Sequence, residues 1–191
     1  MPAADDTADP GAGFTVVGEE EVWRGHLLRL CHLELTDPAG QHFDRDVVRH
    51  PGAVAVVPMA DDGTVTLVRQ YRSPVGRSVL ELPAGTCDVA GEPPEETARR
   101  ELVEEAGLEA ARLRHLASAY NSPGYSDQVT TIFLATGLRP CPTGRSGVEE
   151  QHMRIEHVEV RRVHELIGRG VIDETTALGL LLARDVHQKG R

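Results

Sequence analysis

Short runs of alternating or continuous apolar residues outnumber helical stripes along this chain. Phe14 opens the first such region, and FTVVGEEEVWRGHLLRLCHLELTD reads as two or three short strands with a DPAG turn at 37–40. FDRDVVRHPG at 43–52 reads as a crossing into the main body. AVAVVPM at 53–59 is a strong strand, DDG a tight turn, and TVTLVRQYR at 64–72 the expected hairpin partner. VLELPAG at 79–85 is a further strand that ends on a glycine. PPEETARRELVEEAG then starts on prolines suited to a first helical turn and stops on a glycine suited to the C-cap. ARLRHLASAY at 111–120 receives no element; beyond it lie a loop at 121–128, the strand VTTIFLATGL at 129–138 and a polar loop at 139–150. MRIEHVEVRR at 153–162 is a strand, and VHELIGRG at 163–170 and DETTALGLLLARDVHQ at 173–188 are helices, the first of them short.

Strands in the majority, with two substantial helices in mixed order, predict an α+β domain rather than a doubly wound sheet. No glycine-rich fingerprint follows a first strand, which argues against a dinucleotide-binding fold, and no Walker-type loop is present to grip phosphates. Internal repeats and coiled-coil heptads are also absent.

Composition narrows the function classes. A chain of 191 residues with 40% apolar content is long enough to bury a core. Its formal charge of -10 argues against sequence-independent binding of nucleic acid. An anionic small substrate remains compatible, because a divalent cation inverts the field of an acidic cleft. Cys31, Cys87 and Cys141 stand in no metal-ligand spacing and in odd number, which suits the cytoplasm better than a disulfide framework. Residues 1–13 lack a basic flank and an apolar run; they read as a flexible polar tail rather than a targeting signal. LGLLLA at 178–183 is too short to span a bilayer, so no membrane partner is expected.

The candidate chemistry lies in GTCDVAGEPPEETARRELVEEAGL, residues 85–108. On a helical wheel with Glu101 at zero, Glu104 falls about 60° to one side and Glu105 about 40° to the other. Three carboxylates therefore share one face, beside an apolar stripe of Ala98, Leu102 and Ala106. Like charges at this spacing lower helix stability, and a bound cation would offset that cost. All-oxygen donors of this kind suit magnesium or manganese. On geometry alone, a solvated acidic face with no ligand is an equally good account.

The same residues resemble the signature of the Nudix hydrolases. Glu92 is followed by seven residues and then by Arg100-Glu101-Leu102-Val103-Glu104-Glu105-Ala106-Gly107-Leu108, which fits that pattern throughout. One departure precedes the helix: six residues rather than five separate Gly85 from Glu92, a length change in a loop that leaves the helix register intact. The resemblance implies the Nudix fold, a mixed β-sheet sandwiched between helices. It also implies that Glu101 and Glu105 are principal metal ligands, that Glu104 is an additional carboxylate, and that the Ala84 carbonyl is a further ligand. Arg100 and Glu92 then hold the loop and the carboxylates in place, with Gly85 and Gly107 as the fixed glycines.

Features outside the signature resemble the ADP-ribose pyrophosphatase subgroup in particular. LELPAG runs into the signature at 80–85; LVRQYR at 67–72 offers Arg72, and more weakly Arg69, to phosphate or ribose; Pro123 follows Leu108 by fifteen residues. Asp127 and Gln128 stand where some relatives carry a glutamate. On the late loop, Glu149 and Glu150 are candidates for the general base, and the register favours Glu149. The resemblance further implies a small antiparallel N-terminal β domain over 14–50, a catalytic domain over 51–191, and a homodimer in which Trp23 and Arg45 help clamp the adenine. The implied reaction is metal-dependent hydrolysis of ADP-ribose to AMP and ribose 5-phosphate. Another nucleoside diphosphate sugar or a dinucleotide is the alternative substrate. A catalytically silent nucleotide sensor would be expected to lose a helix glutamate, and none is lost here.

Overall fold

The structure, a computed structural model, describes residue 11, residues 13–144, residue 148 and residues 150–189. Of the tail expected over 1–13, all but residues 11 and 13 lie outside the described residues. The chain divides into two compact units. One takes the chain up to Pro51 together with Ser122–Gln128, and the other takes Gly52–Asn121 and the chain from Val129 onward.

In the first unit, β1 (Thr15–Arg24), β2 (Arg29–Thr36) and β3 (His42–Arg49) form an antiparallel sheet in chain order. The 43–52 stretch, expected as a crossing, is therefore mainly a strand, paired with β2 from Arg29↔Arg49 to Thr36↔His42. Its alternating charges mask it from a search for apolar alternation, and side-chain pairs across the ladder support it instead. His32 Nδ1 lies 3.1 Å from Asp46, its direct neighbour on β3, and that hydrogen bond raises the pKa of the imidazole. Cys31 and Leu33 are buried within this unit. The Ser122–Gln128 segment is tied to the end of β3, with Val48 N–H donating to the Tyr125 carbonyl at 2.7 Å. Asp127 accepts from the His50 backbone N–H at 2.9 Å and from Arg49 at 3.2 Å, and Arg49 also grips Glu19 on β1 at 2.7 Å. One guanidinium thus joins β1, β3 and the loop.

In the second unit, β4 (Ala53–Pro58) is flanked on both sides by other strands. The remaining elements are β5 (Thr64–Arg72), β6 (Arg77–Glu81), β7 (Ala84–Thr86), α1 (Pro94–Ala106), β8 (Leu108–Tyr120), β9 (Val129–Pro140), β10 (Arg154–Glu159), α2 (Val163–Arg169) and α3 (Glu174–Lys189). A four-stranded sheet has the order β7-β4-β9-β8, with β4 and β9 parallel, and a three-stranded antiparallel sheet has the order β10-β5-β6. The expected β4–β5 hairpin does not continue as a ladder. The turn forms, with Ala60 N–H donating to the Thr64 carbonyl at 2.8 Å, but beyond a single bridge at Met59↔Val65 the two strands part into different sheets. The reason is that β7 and β9 occupy both hydrogen-bonding edges of β4.

Strand alternation distributes the core to two faces. Val54 and Val56 pack with Ala98, Leu102 and Ala106 of α1. Ala55 and Val57 pack with Leu180 and Ala183 of α3. The sheet is therefore sandwiched between helices. This packing also decides whether α1 forms at all. Burying Leu102 alone is worth about 1.5–3 kcal/mol, against roughly 0.2–0.5 kcal/mol for each like-charge pair on the adjacent face. Gly107 ends the helix at φ 64°, a left-handed conformation in which its N–H reaches the Val103 carbonyl at 3.0 Å.

Candidate active site

The site grows from a bend and a helix face. Leu80 and Leu82 are buried, and after Pro83 the chain turns so that Ala84 N–H donates to Glu105 Oε2 at 2.9 Å. The bend is held from the α3 side, where Leu82 N–H donates to Thr176 Oγ1 at 2.9 Å. Gly85 comes next, and a methyl there would stand 2.0 Å from Cδ of Glu101. The backbone of the bend thus runs directly against the carboxylate face of α1, an approach open only to glycine.

Glu101 and Glu105 are both buried, 9% and 6% exposed. Burial pushes the Glu101 carboxyl up to about 7, and neighbouring Glu104 and Glu150 add to the shift while Arg100 opposes it. Burial pushes Glu105 up to about 8, helped by Glu101 and Glu150 and opposed by the Ala84 N–H and Arg72. Arg100 spans the face, bonding Glu101 at 2.7 Å, Glu104 at 3.3 Å and Glu92 at 3.3 Å. Glu92 also accepts from Thr97 Oγ1 at 2.7 Å, and these two partners hold its carboxyl below the usual range. Thr97, fully buried on the first turn of α1, carries no mark in the sequence beyond its spacing of five from Glu92.

Ala84, Gly85, Arg100, Glu101, Glu104 and Glu105 line an open cleft of about 450 Å³ together with Arg72, Gln70, Asp88 and Glu150. Alternation along β5 explains Arg72: Val68, Gln70 and Arg72 share one face, whereas Leu67 and Arg69 take the other. Arg69 pairs there with Glu156 and does not line the cleft. Glu149 lies outside the described residues. Trp23, Arg45, Pro123, Asp127 and Gln128 belong to the first compact unit. In it, Trp23 is exposed, Arg45 lies over the Phe43 ring at 4.9 Å, Pro123 sits in a turn closed by Ser122, and Asp127 is held by Arg49 and His50. Gln128 N–H donates to Ser126 Oγ at 3.2 Å.

The fit to a hard divalent cation can be judged from the donors. They are all oxygen: two buried carboxylates whose negative charge burial disfavours and a third carboxylate at the rim, with the backbone of Ala84 in the same lining. Among the described residues no three such side chains already converge to hold an ion, because Arg100 draws Glu101 and Glu104 while Ala84 N–H draws Glu105.

Residues 49–176 match the NUDIX domain model. The chain belongs to the Nudix family. Its relatives include the ADP-ribose pyrophosphatase of Mycobacterium tuberculosis, 39% identical over 170 residues that cover 89% of this chain and 82% of the relative. The ADP-ribose pyrophosphatase of Bacillus subtilis is 34% identical over 165 residues, covering 86% and 89%. The fold agrees with the crystal structure of an ADP compounds hydrolase, at TM-score 0.80 and 24% identity, over 93% of this chain and 95% of that one. The carboxylate-bearing α1 is thus a Nudix helix, and the mixed sheet between helices is the Nudix fold.

The close approach at Gly85 has a measurable consequence. Gly85→Ala is expected to lower turnover by about tenfold or more, because the flexible Glu101 carboxylate must swing away from the added methyl. The melting temperature should shift by only a few degrees, since the atom that yields is a side-chain end rather than backbone. Unchanged turnover would show that Glu101 need not sit against the bend.

Proposed function

We propose that this Nudix enzyme hydrolyses the pyrophosphate bond of ADP-ribose to AMP and ribose 5-phosphate, using magnesium, with manganese able to substitute. The observation that carries this reading is similarity, over more than four-fifths of the chain, to two ADP-ribose pyrophosphatases. The all-oxygen cleft supports it chemically. Glu101, Glu105, Glu104 and the Ala84 carbonyl would hold the cation, which supplies neutralisation of the diphosphate and acidification of water when bound.

The protein's own groups do the rest. Arg72 offers guanidinium donors to a diphosphate oxygen. A late-loop carboxylate takes the proton of the attacking water as the new oxygen–phosphorus bond forms and the bridging bond breaks. That Glu150 lines the cleft supports it for that role, and Glu149, its neighbour in the chain, is the other candidate. Arg100 and Glu92 clamp the loop to the Nudix helix.

We further propose a homodimer in the cytoplasm, built through the N-terminal sheet. Val16, Val17, Val22 and Trp23 on β1 are all more than half exposed, an apolar set that a second subunit would cover. Trp23 and Arg45 remain the candidates for adenine contacts in that assembly. Sedimentation equilibrium tests it; a single 20.7 kDa species at micromolar concentration with full activity would overturn both the dimer and the shared site.

The function itself is tested by a panel of nucleoside diphosphate sugars and dinucleotides in magnesium, with products identified. ADP-ribose should be the preferred substrate, should give AMP and ribose 5-phosphate, and should cease to turn over when the metal is chelated. Stronger turnover of a different diphosphate, or activity that survives chelation, would overturn the reading.

A further inference from the structure

A carboxylate beneath the cleft is not accounted for by the metal set. Glu81 lies on β6 between the core residues Leu80 and Leu82, yet it is only 5% exposed. Its register places it opposite Val68, so it shares the β5 face that carries Gln70 and Arg72. A buried carboxylate needs partners to offset its lost hydration, and Glu81 has them. Gln70 Nε2 donates at 2.6 Å, Arg72 Nε lies 3.0 Å from both carboxylate oxygens, and Arg72 Nη2 is 2.8 Å away.

We propose that Glu81 is the positioning residue of the cleft, setting the direction in which Arg72 and Gln70 face the substrate's diphosphate. This rests on the reading of Arg72 as a diphosphate contact. The bonds to Glu81 use the Nε–Nη2 edge of the guanidinium, and so direct its Nη1 end to a ligand. Gln70 commits its amide nitrogen to Glu81, which leaves the carbonyl oxygen for a hydroxyl. A phosphate oxygen beside a sugar hydroxyl matches that pair.

The anchor has a second consequence. Arg72 is long and flexible, and the cleft around it is acidic, with Glu105 attracting the guanidinium across it. An untethered Arg72 would swing toward Glu105 and Glu150 and neutralise the carboxylates needed for the cation. Glu81 holds the cationic donor and the acidic set apart. It does not itself line the cleft, so it acts through its two partners.

The test is a cycle of wild type, Glu81→Gln, Arg72→Ala and the double variant, assayed for kcat and KM on ADP-ribose in magnesium, with melting curves alongside. Glu81→Gln should lower kcat/KM by about tenfold or more, chiefly through KM, and Glu81→Asp should recover part of the loss. In the Arg72→Ala background the same substitution should change kcat/KM by less than about twofold. It should also raise the melting temperature there, because it removes a buried carboxylate that has lost its cation. If Glu81→Gln merely weakened the fold, its effect would be as large in both backgrounds, and that result overturns the proposal. So does an unchanged KM. A wild type inactive on ADP-ribose overturns the functional reading and the inference with it, whereas an active wild type with an additive cycle overturns the role of Glu81 alone.

Discussion

Glu105→Gln is expected to lower turnover of ADP-ribose by about 10²–10³-fold while leaving the fold intact. The amide keeps the size of the side chain and retains an oxygen that can accept the Ala84 N–H, so the bend and the helix should stay together. What it loses is the negative charge, which is the property a divalent cation selects. Stability should not fall. Burial disfavours the charged form of Glu105 strongly enough to push its carboxyl up to about 8, so a neutral side chain removes a cost in the metal-free protein. The sign is therefore opposite for the two readouts: activity drops and the melting temperature holds or rises. Near-normal turnover of the purified variant at saturating magnesium would sink the assignment of Glu105 as a ligand.

Glu150→Gln should act on a different kinetic constant. Glu150 lines the cleft and its charge is felt by both Glu101 and Glu105, as the proposed role of general base requires. A general base contributes roughly 10²–10⁴-fold to rate, and its loss should appear in kcat with KM changed little. Glu105→Gln, in contrast, should respond to metal concentration. The parallel variant Glu149→Gln separates the two neighbours: a large loss of kcat there and a small one in Glu150→Gln would move the base by one residue.

Much of the chemistry was legible because it is local. One helix and the bend before it carry Ala84, Gly85, Glu92, Arg100, Glu101, Glu104, Glu105 and Gly107, and helical periodicity alone puts the carboxylates on one face. What was not legible depends on partners distant in the chain. Resemblance ranks Arg72 above Arg69, but the pairing of β5 with β6 and β10 is what gives Arg72 its partner Glu81 beside the cleft and Arg69 its partner Glu156 away from it. Nothing within LELPAG marks Glu81 as buried, because its partners Gln70 and Arg72 come from another strand. Asp127 stands where some relatives carry a glutamate, and its partners Arg49 and the His50 N–H come from residues more than seventy positions earlier.

By itself, then, the sequence determined the Nudix helix, its caps, the strand-rich α+β class and the acidic oxygen chemistry. Those features follow from periodicity and from residue types within about twenty positions of one another, where chain geometry leaves few alternatives. The tertiary structure decided how strands pair and what each charge faces. It sent β4 and β5 to different sheets, turned the charged 43–52 stretch into a strand, and joined Ser122–Gln128 to the N-terminal unit. It also buried Glu101 and Glu105, which makes their negative charge costly without a cation. Burial and pairing are set by which surfaces compete for the same strand edge or the same guanidinium, and that competition is settled only when the whole chain has packed.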